Sequence, residues 1–215
     1  MNSIPIMDYA PRVKICGITR AQDIQVAAQY GVNALGFMLY EKSKRNVTLE
    51  DLGKLTRLTP PFITKVAVMV DPDIDFVKKV IRHSSIDCIQ LHGQESPEFI
   101  NEIPIPVIKA FRVKNGGSLE KIRNYNNSVA WLLDSFVEGE LGGTGHSFNW
   151  DLAKSVCSEG RAVILAGGLN PDNIMEAVRQ VRPFAVDVSS GVETSPGIKC
   201  PVKMKAFLNK IRTID

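Results

Sequence analysis

The chain has 215 residues, 44% of them hydrophobic and 23% charged, and its 26 basic and 23 acidic side chains leave a formal net charge of +3. This length suits a single domain, and the near balance of charge gives no indication of a nucleic-acid partner, so none is expected. No apolar run approaches the roughly 18 residues that span a bilayer, and the first residues lack secretory features, so we expect a cytoplasmic protein without a membrane partner. The four cysteines have no Cys-x-x-Cys spacing, which predicts reduced thiols and no metal site.

In chain order, short β-branched segments alternate with amphipathic segments, which is typical of parallel strands connected by helices. Strands are predicted at 13–16, 34–38, 65–70, 87–91, 107–111, 130–134, 162–166 and 185–188. Helices are predicted at 21–30, 49–58, 74–83, 97–103, 119–125, 150–158, 173–181 and 202–211. The expected helix N-caps are Thr19, Asp73, Ser96, Asn149 and Asp172.

This succession of eight strands and helices predicts a single (β/α)₈ TIM barrel of the α/β class. The barrel domain would occupy residues 13–215, after an N-terminal extension at residues 1–12. An open doubly wound sheet is the alternative architecture.

Alternate residues of a barrel strand point either to the surrounding helices or into the barrel. The residues predicted to face the helices are Val13, Ile15, Val66, Val68, Ile89, Leu91, Val186 and Val188. The opposite faces carry polar side chains, most of them near the carboxyl ends of the strands: Lys14, Cys16, Gln90, His92, Asp134, Asp187 and Ser189. Because barrel enzymes build their active sites at that end, we predict a site there, with Gln90 and Asp187 in contact with a substrate.

The segments LAGGLNPDNI and VDVSSGVE follow the seventh and eighth predicted strands. Gly167 and Gly168 allow close backbone approach to a ligand, and the following helix offers free amides and the positive end of its dipole. Ser189 and Ser190 add hydrogen-bond donors. Loops at these two places in a TIM barrel frequently bind phosphate, so a phosphate site is predicted; the alternative is that the glycines only turn the chain.

Cys16 lies in the stretch VKICGITR, directly before a glycine. Cysteine is among the most often buried residue types, so one interpretation is that Cys16 only fills the core. The functional alternative is that Gly17 leaves the thiol open to a ligand and that Lys14, on the same face, lowers the thiol pKa. Lys14 also has a structural interpretation, because barrel closure places strand eight beside strand one and lets Lys14 pair with Asp187.

Two charged residues near the predicted rim are further candidates. Asp134 follows three apolar residues at a strand end, where a carboxylate is costly to bury unless something engages it. It is either a proton donor or the structural partner of a loop amide, and spacing does not separate the two. Arg45 belongs to the basic loop YEKSKRNV; such runs are usually solvated, but an arginine at a barrel rim can bind a carboxylate through two parallel hydrogen bonds.

Eight ordered motifs resemble those of the phosphoribosylanthranilate isomerase family of tryptophan biosynthesis: KICGITR, GFMLYEKSKRNV, IQLHG, VIKAF, LLDS, GGTGHSFNW, LAGGLNPDNI and DVSSGVE. The resemblance covers essentially the whole chain apart from the extension. It implies an Amadori rearrangement of N-(5-phosphoribosyl)anthranilate, an aldose–ketose isomerisation that needs no metal or organic cofactor. The implied partner is this phosphorylated small molecule. We expect a monomer or a homodimer, and the sequence does not decide between them.

By position in the motifs, the resemblance implies that Cys16 is the general base and Asp134 the general acid. It implies that Arg45 binds the anthranilate carboxylate. The residues implied to hold the phosphate are Gly167, Gly168, Ser189 and Ser190.

The chain departs from the usual family pattern at Glu41, Lys44, His146 and Asn149. These positions belong to the arginine loop and to the glycine-rich segment LGGTGHSFNW, which is interpreted as a lid over the site. A related isomerase of histidine biosynthesis carries an aspartate where Cys16 stands, so the thiol argues against that family. A barrel that only binds a sugar phosphate is a further alternative, and it would need neither Cys16 nor Asp134.

Overall fold

The computed structural model describes residues 10–113, 122–134 and 150–214. Eight parallel strands form a closed barrel in the order β1 to β8, and β8 pairs with β1 to complete it. The strands are β1 Arg12–Cys16, β2 Ala34–Leu39, β3 Thr64–Met69, β4 Cys88–Leu91, β5 Val107–Arg112, β6 Ala130–Asp134, β7 Val163–Ala166 and β8 Ala185–Val188. Closure confirms the predicted TIM barrel and excludes the open sheet.

Seven α-helices lie within the described residues. They are α1 Ala21–Gln29, α2 Leu49–Leu58, α3 Ile74–His83, α4 Pro97–Asn101, α5 Trp150–Cys157, α6 Ile174–Val181 and α7 Pro201–Arg212. The first three residues of the helix predicted at 119–125 lie outside the described residues, as does the predicted cap Asn149. The division into an extension at 1–12 and a barrel domain at 13–215 stays a prediction, since residues 1–9 also lie outside.

Two of the predicted helix N-caps are present in the structure and two are not. The Asp73 carboxylate accepts a hydrogen bond from the Phe76 amide at 2.7 Å, and the Ser96 hydroxyl accepts one from Phe99, which confirms two caps. The prediction for Thr19 is wrong: Arg20 precedes α1, and the Thr19 hydroxyl donates to the distant Gly197 carbonyl at 2.6 Å. The prediction for Asp172 is also wrong, because Asn173 directly precedes α6.

The barrel has two apolar clusters, one between the strands and the helices and one in its interior. The cluster between strands and helices includes the predicted residues of β1, β4 and β8, namely Val13, Ile15, Ile89, Leu91, Val186 and Val188. In β3 the prediction is wrong, since Val66 and Val68 belong to the interior cluster. Both faces of β3 are apolar, with Ala67 and Met69 on the outer side, so alternation gave no signal there.

A short hairpin follows β8 and was not predicted. Residues Ser190–Val192 form a 3₁₀ turn, and the chain then makes two short antiparallel strands, β9 Glu193–Ser195 and β10 Ile198–Lys199, before α7. The hairpin returns the chain to the carboxyl end of β1, where Gly197 accepts the Thr19 hydrogen bond. It therefore contributes to the mouth of the barrel.

Candidate active site

A cavity of about 370 Å³ opens at the carboxyl ends of the strands. All nine residues predicted to form the site line it: Cys16, Arg45, Gln90, Asp134, Gly167, Gly168, Asp187, Ser189 and Ser190. Met38, Val68 and Leu132 add an apolar wall, and His92 lies among the polar residues. The structure thus brings the predicted residues together in one place.

Cys16 ends β1 and is buried, with 6% of its surface exposed. Gly17 has a positive φ of 77°, and the amides of Gly17 and Ile18 both donate to the Gly36 carbonyl, at 2.9 and 3.0 Å. Gly36 also makes room for the reactive groups. A Cβ at that position would lie 2.8 Å from Cys16 Sγ and 3.1 Å from Lys14 Cε, closer than such contacts normally come.

The pKa of Cys16 differs from the prediction that Lys14 lowers it. Burial raises the pKa of the thiol above its ordinary value, because the thiolate loses its hydration. The Lys14 ammonium opposes this effect, Asp187 adds to it, and Lys199 opposes it more weakly. The expected lowering of the pKa by Lys14 is therefore present but smaller than the effect of burial, so the thiol form is favoured at neutral pH.

Lys14 and Asp187 form a buried ion pair inside the barrel, with Nζ and Oδ1 3.0 Å apart. The two residues are directly opposite each other in the β1–β8 register, which confirms the predicted pairing. Burial disfavours the ammonium form of Lys14, but Asp187 and the neighbouring Cys16 outweigh it and raise the pKa of Lys14. Lys14 therefore keeps a positive charge beside the thiol.

Asp134 at the end of β6 faces His92, which follows β4. Oδ2 of Asp134 lies 3.3 Å from Nε2 of His92, and both side chains are mostly buried. Gln90, on the inner face of β4, is fully buried in the same wall, and its Oε1 has no hydrogen-bond partner among the described residues. Such an acceptor is costly to leave unpaired, which favours a polar ligand in the cavity.

The loop after His92 is held by a second buried ion pair. Lys109 Nζ lies 2.9 Å from Glu95 Oε2 and also donates to the Gly93 carbonyl at 2.8 Å. Glu95 accepts in turn from the Gly93 and Asp71 amides. This network fixes the backbone next to His92 and hence the approach of His92 to Asp134.

Arg45 is held at the rim by Glu193. Its Nε donates to Glu193 Oε1 at 2.9 Å and its Nη2 to Oε2 at 2.6 Å, the bidentate geometry that arginine makes with carboxylates. Burial disfavours the Glu193 carboxylate, but the hydrogen bonds from Arg45 and Lys199 outweigh it and lower the pKa of Glu193. The sequence does not indicate this pairing, because Glu193 stands at the end of the motif DVSSGVE, far along the chain from Arg45.

The loops after β7 and β8 are packed closely together. Gly167 and Gly168 have positive φ values of 90° and 62°, and the Gly168 carbonyl accepts hydrogen bonds from the Asn170 and Asn173 side-chain amides. A Cβ at Gly191 would lie 1.9 Å from the Leu169 carbonyl oxygen, so only glycine permits this contact between the loops. Ser189 and Ser190 thereby come to line the same cavity as the two glycines.

Within residues 10–113, 122–134 and 150–214, no group of three His, Cys, Asp or Glu side chains could hold a metal ion. In the same part of the chain, no helix combines the length and apolarity needed to cross a membrane. All four cysteines are free thiols.

The sequence of this chain is similar to those of known proteins along nearly its whole length. Residues 13–210 match the family described as N-(5'-phosphoribosyl)anthranilate (PRA) isomerase. The chain is 43% identical over 205 residues to the N-(5'-phosphoribosyl)anthranilate isomerase of Nitrosomonas eutropha, which covers 95% of this chain and 98% of that protein.

Solved structures show the same similarity. The crystal structure of phosphoribosyl anthranilate isomerase from Thermotoga maritima has a TM-score of 0.88 and 40% identity, and the match covers 94% of this chain and 98% of that one. A phosphoribosyl anthranilate isomerase in complex with reduced 1-(o-carboxyphenylamino)-1-deoxyribulose 5-phosphate has a TM-score of 0.85 and 38% identity, with the same coverage of both chains.

Proposed function

The chain belongs to the N-(5'-phosphoribosyl)anthranilate isomerase family, and on this premise we propose that Cys16 and Asp134 are the base and the acid of its reaction. The reaction converts the aldose derivative N-(5'-phosphoribosyl)anthranilate to the ketose derivative 1-(2-carboxyphenylamino)-1-deoxyribulose 5-phosphate, a step of tryptophan biosynthesis. The observation that carries the proposal is that both side chains line one cavity, on strands separated by β7 and β8.

The phosphate and the carboxylate of the substrate bind at two different parts of the cavity. The phosphate binds at the loops that contribute Gly167, Gly168, Ser189 and Ser190. The amides at the start of α6, expected from the sequence to be free, already donate to Asn170, so the loop groups hold the anion. The anthranilate carboxylate binds Arg45. Because Glu193 occupies the Nε–Nη2 edge of that guanidinium, the carboxylate uses the edge formed by Nη1 and the second hydrogen of Nη2.

The sugar lies between these ends. Gln90 Oε1, a buried acceptor without a partner in the described part of the chain, accepts a hydrogen bond from a sugar hydroxyl. Asp187, already paired with Lys14, contacts the sugar from the side of β8. Fixing both ends and the middle supplies the orientation that acid–base catalysis alone does not.

The first chemical step is ring opening. Asp134 donates a proton to the ring oxygen as the bond from that oxygen to C1 breaks, and the anthranilate nitrogen lone pair forms the C1=N iminium. His92, 3.3 Å from the Asp134 carboxyl group, orients it and screens the carboxylate that remains.

The second step forms the ketone. The Cys16 thiolate removes the proton from C2, which the iminium has made acidic, and the released electron pair forms the C1=C2 enolamine. Tautomerisation of the enolamine then gives the C2 ketone. Lys14 stays positively charged next to Cys16 and stabilises the thiolate that this step requires.

Turnover is the direct test. Purified protein is mixed with phosphoribosylanthranilate, and consumption is followed as the loss of the fluorescence of the anthranilate substrate. We expect catalytic turnover at low enzyme concentration. Binding of the reduced product analogue without turnover would contradict the proposal and favour a barrel that only binds a sugar phosphate.

We also propose that the enzyme acts in the cytoplasm as a monomer or a homodimer, with this phosphorylated small molecule as its partner. The support is its place in amino-acid biosynthesis and the phosphorylated ligand bound by the similar isomerase structure. Size-exclusion chromatography with light scattering distinguishes the two assemblies.

A further inference from the structure

Lys199 is a fully buried lysine that does not line the cavity but contacts residues that do. Its side chain is 0% exposed, and Nζ lies 2.7 Å from Glu193 Oε1 and 3.3 Å from the Ser189 carbonyl oxygen. Nζ also donates to the carbonyl oxygen of Cys16. These three oxygens only accept hydrogen bonds and match the three hydrogens of an ammonium group. Burial lowers the pKa of Lys199, and the pairing with Glu193 opposes this effect.

The main chain of Lys199 is fixed as firmly as its side chain. Its amide donates to the Asp23 carboxylate at 3.3 Å, and its carbonyl accepts from Arg20 Nη2 at 3.3 Å. Asp23 is itself buried and paired with Arg20 at 2.6 Å. The ammonium therefore reaches the end of β1 from a rigid support rather than from a mobile arm.

One continuous set of charged contacts links Lys199 to the substrate-binding rim. Glu193 accepts from Lys199 and, through both of its oxygens, from Arg45 at 2.9 and 2.6 Å. The Gly197 amide donates a further hydrogen bond to Glu193 at 3.2 Å. The network thus connects the thiol-bearing strand end, the Ser189 loop and the guanidinium of Arg45.

We propose that Lys199 is a positioning residue of the isomerase, which holds the Cys16 backbone and, through Glu193, the plane of the Arg45 guanidinium in one fixed relation. The proposal rests on the roles of Cys16 and Arg45 given under the proposed function. The ammonium orients the Cys16–Gly17 peptide, and its charge favours the thiolate. Because it touches no substrate atom in this scheme, its effect is exerted on the placement and ionisation of the base.

The first test is Lys199→Met, which keeps the bulk of the side chain and leaves Glu193 paired with Arg45. The readout is the pH dependence of Cys16 alkylation by iodoacetamide, because only the thiolate reacts. Cys16 is measured alone as the tryptic peptide ICGITR, residues 15–20. We expect the alkylation midpoint to rise by about one pH unit, as for the loss of a neighbouring cation.

Steady-state kinetics of Lys199→Met should show a kcat about tenfold to 10²-fold lower, as expected for a displaced base, with a smaller change in KM. Lys203→Met is the matched control. Lys203 is exposed and donates to the main-chain carbonyl of Glu193 at 2.8 Å, without reaching Cys16. Its alkylation midpoint and kcat should stay within about twofold of the parent protein, as for an exposed surface charge.

Glu193→Gln should shift the alkylation midpoint of Cys16 in the opposite direction. It tests the positioning role even if Lys199→Met does not fold. Removing the carboxylate leaves the charges of Lys199 and Arg45 uncompensated near Cys16, so the alkylation midpoint should fall while KM rises. A Cys16 midpoint that is unchanged in both folded variants, or in Glu193→Gln alone if the other variant is unfolded, would overturn the positioning role. Alkylation needs no turnover, so an inactive parent protein would refute the proposed function without deciding this inference.

Discussion

Nε2 of His92 lies 3.3 Å from Oδ2 of Asp134, which joins the loop after β4 to the end of β6, the two strands on either side of β5. The Lys109–Glu95 ion pair holds the loop on which His92 stands. Asp134 needs a fixed orientation to deliver a proton to the ring oxygen, and a neighbouring ring nitrogen supplies it. His92 and Asp134 therefore act as a pair in this account.

Replacement of His92 tests that pair. His92→Ala should lower kcat about tenfold or more, because the Asp134 carboxyl group loses its orienting partner. His92→Gln keeps a donor near the position of Nε2 and should retain more activity than the alanine variant. His83, exposed on α3 and bonded to the Lys79 carbonyl, is the control, and His83→Ala should keep the parent kcat. Equal losses in the alanine and glutamine variants of His92 would contradict an orienting hydrogen bond.

The pH dependence of Cys16 alkylation in the parent protein follows from the Cys16 pKa. Only the thiolate reacts with iodoacetamide, and burial raises the thiol pKa above the ordinary value of about 8.5. The reactive fraction is therefore small at neutral pH and increases as pH rises. We expect the alkylation rate to keep increasing from pH 7 to pH 9; kcat/KM depends in addition on Asp134, which must be protonated for ring opening. An alkylation rate that reaches its plateau below pH 7 would show that the cations beside Cys16 outweigh its burial.

Gly36 offers a test of packing around the base. In Gly36→Ala the new Cβ would lie 2.8 Å from Cys16 Sγ, so the thiol or the strand must move. We expect kcat to fall about 10²-fold, as a displacement of about 1 Å in a reacting group costs, with much less effect on KM. Gly53→Ala is the matched control. Gly53 lies within α2, where alanine favours the helix, and its Cβ would lie at an ordinary distance of 3.4 Å from the nearest neighbour, the His83 carbonyl oxygen. Thermal unfolding of both variants separates lost catalysis from lost folding.

The barrel itself was predictable from local pattern. Each strand is a short apolar run, and the runs recur at regular spacing. The site was predictable because polar residues such as Cys16 and Asp134 stand at the carboxyl ends of these strands. The facing of β3 was not predictable, because TKVAVM is apolar on both faces and period-two alternation carries no information there. Thr19 failed as a cap for a different reason: its hydroxyl is bound by Gly197, 178 residues away.

The same distinction applies to the site. The residues that line the cavity were found because they share strand ends, which alternation and barrel closure determine. The contacts that hold them were missed because they join distant segments: Arg45 pairs with Glu193 across 148 residues, and Lys199 reaches Cys16 across 183. No periodicity or cap signal encodes such pairs, and the two short strands of the hairpin that carries Glu193 and Lys199 gave no pattern of their own.

The central claim is that one thiol and one carboxyl group divide the proton transfers of a single isomerisation. Its most direct measurement is kcat for Cys16→Ser and Asp134→Asn in the substrate fluorescence assay. Each variant should lose about 10²-fold to 10⁴-fold in kcat, the usual worth of a positioned acid or base, while still binding the reduced product analogue. The controls Cys200→Ser, at the N-cap of α7, and Asp75→Asn, exposed in α3, should keep the parent kcat. Near-parental kcat in both Cys16→Ser and Asp134→Asn would contradict the assignment.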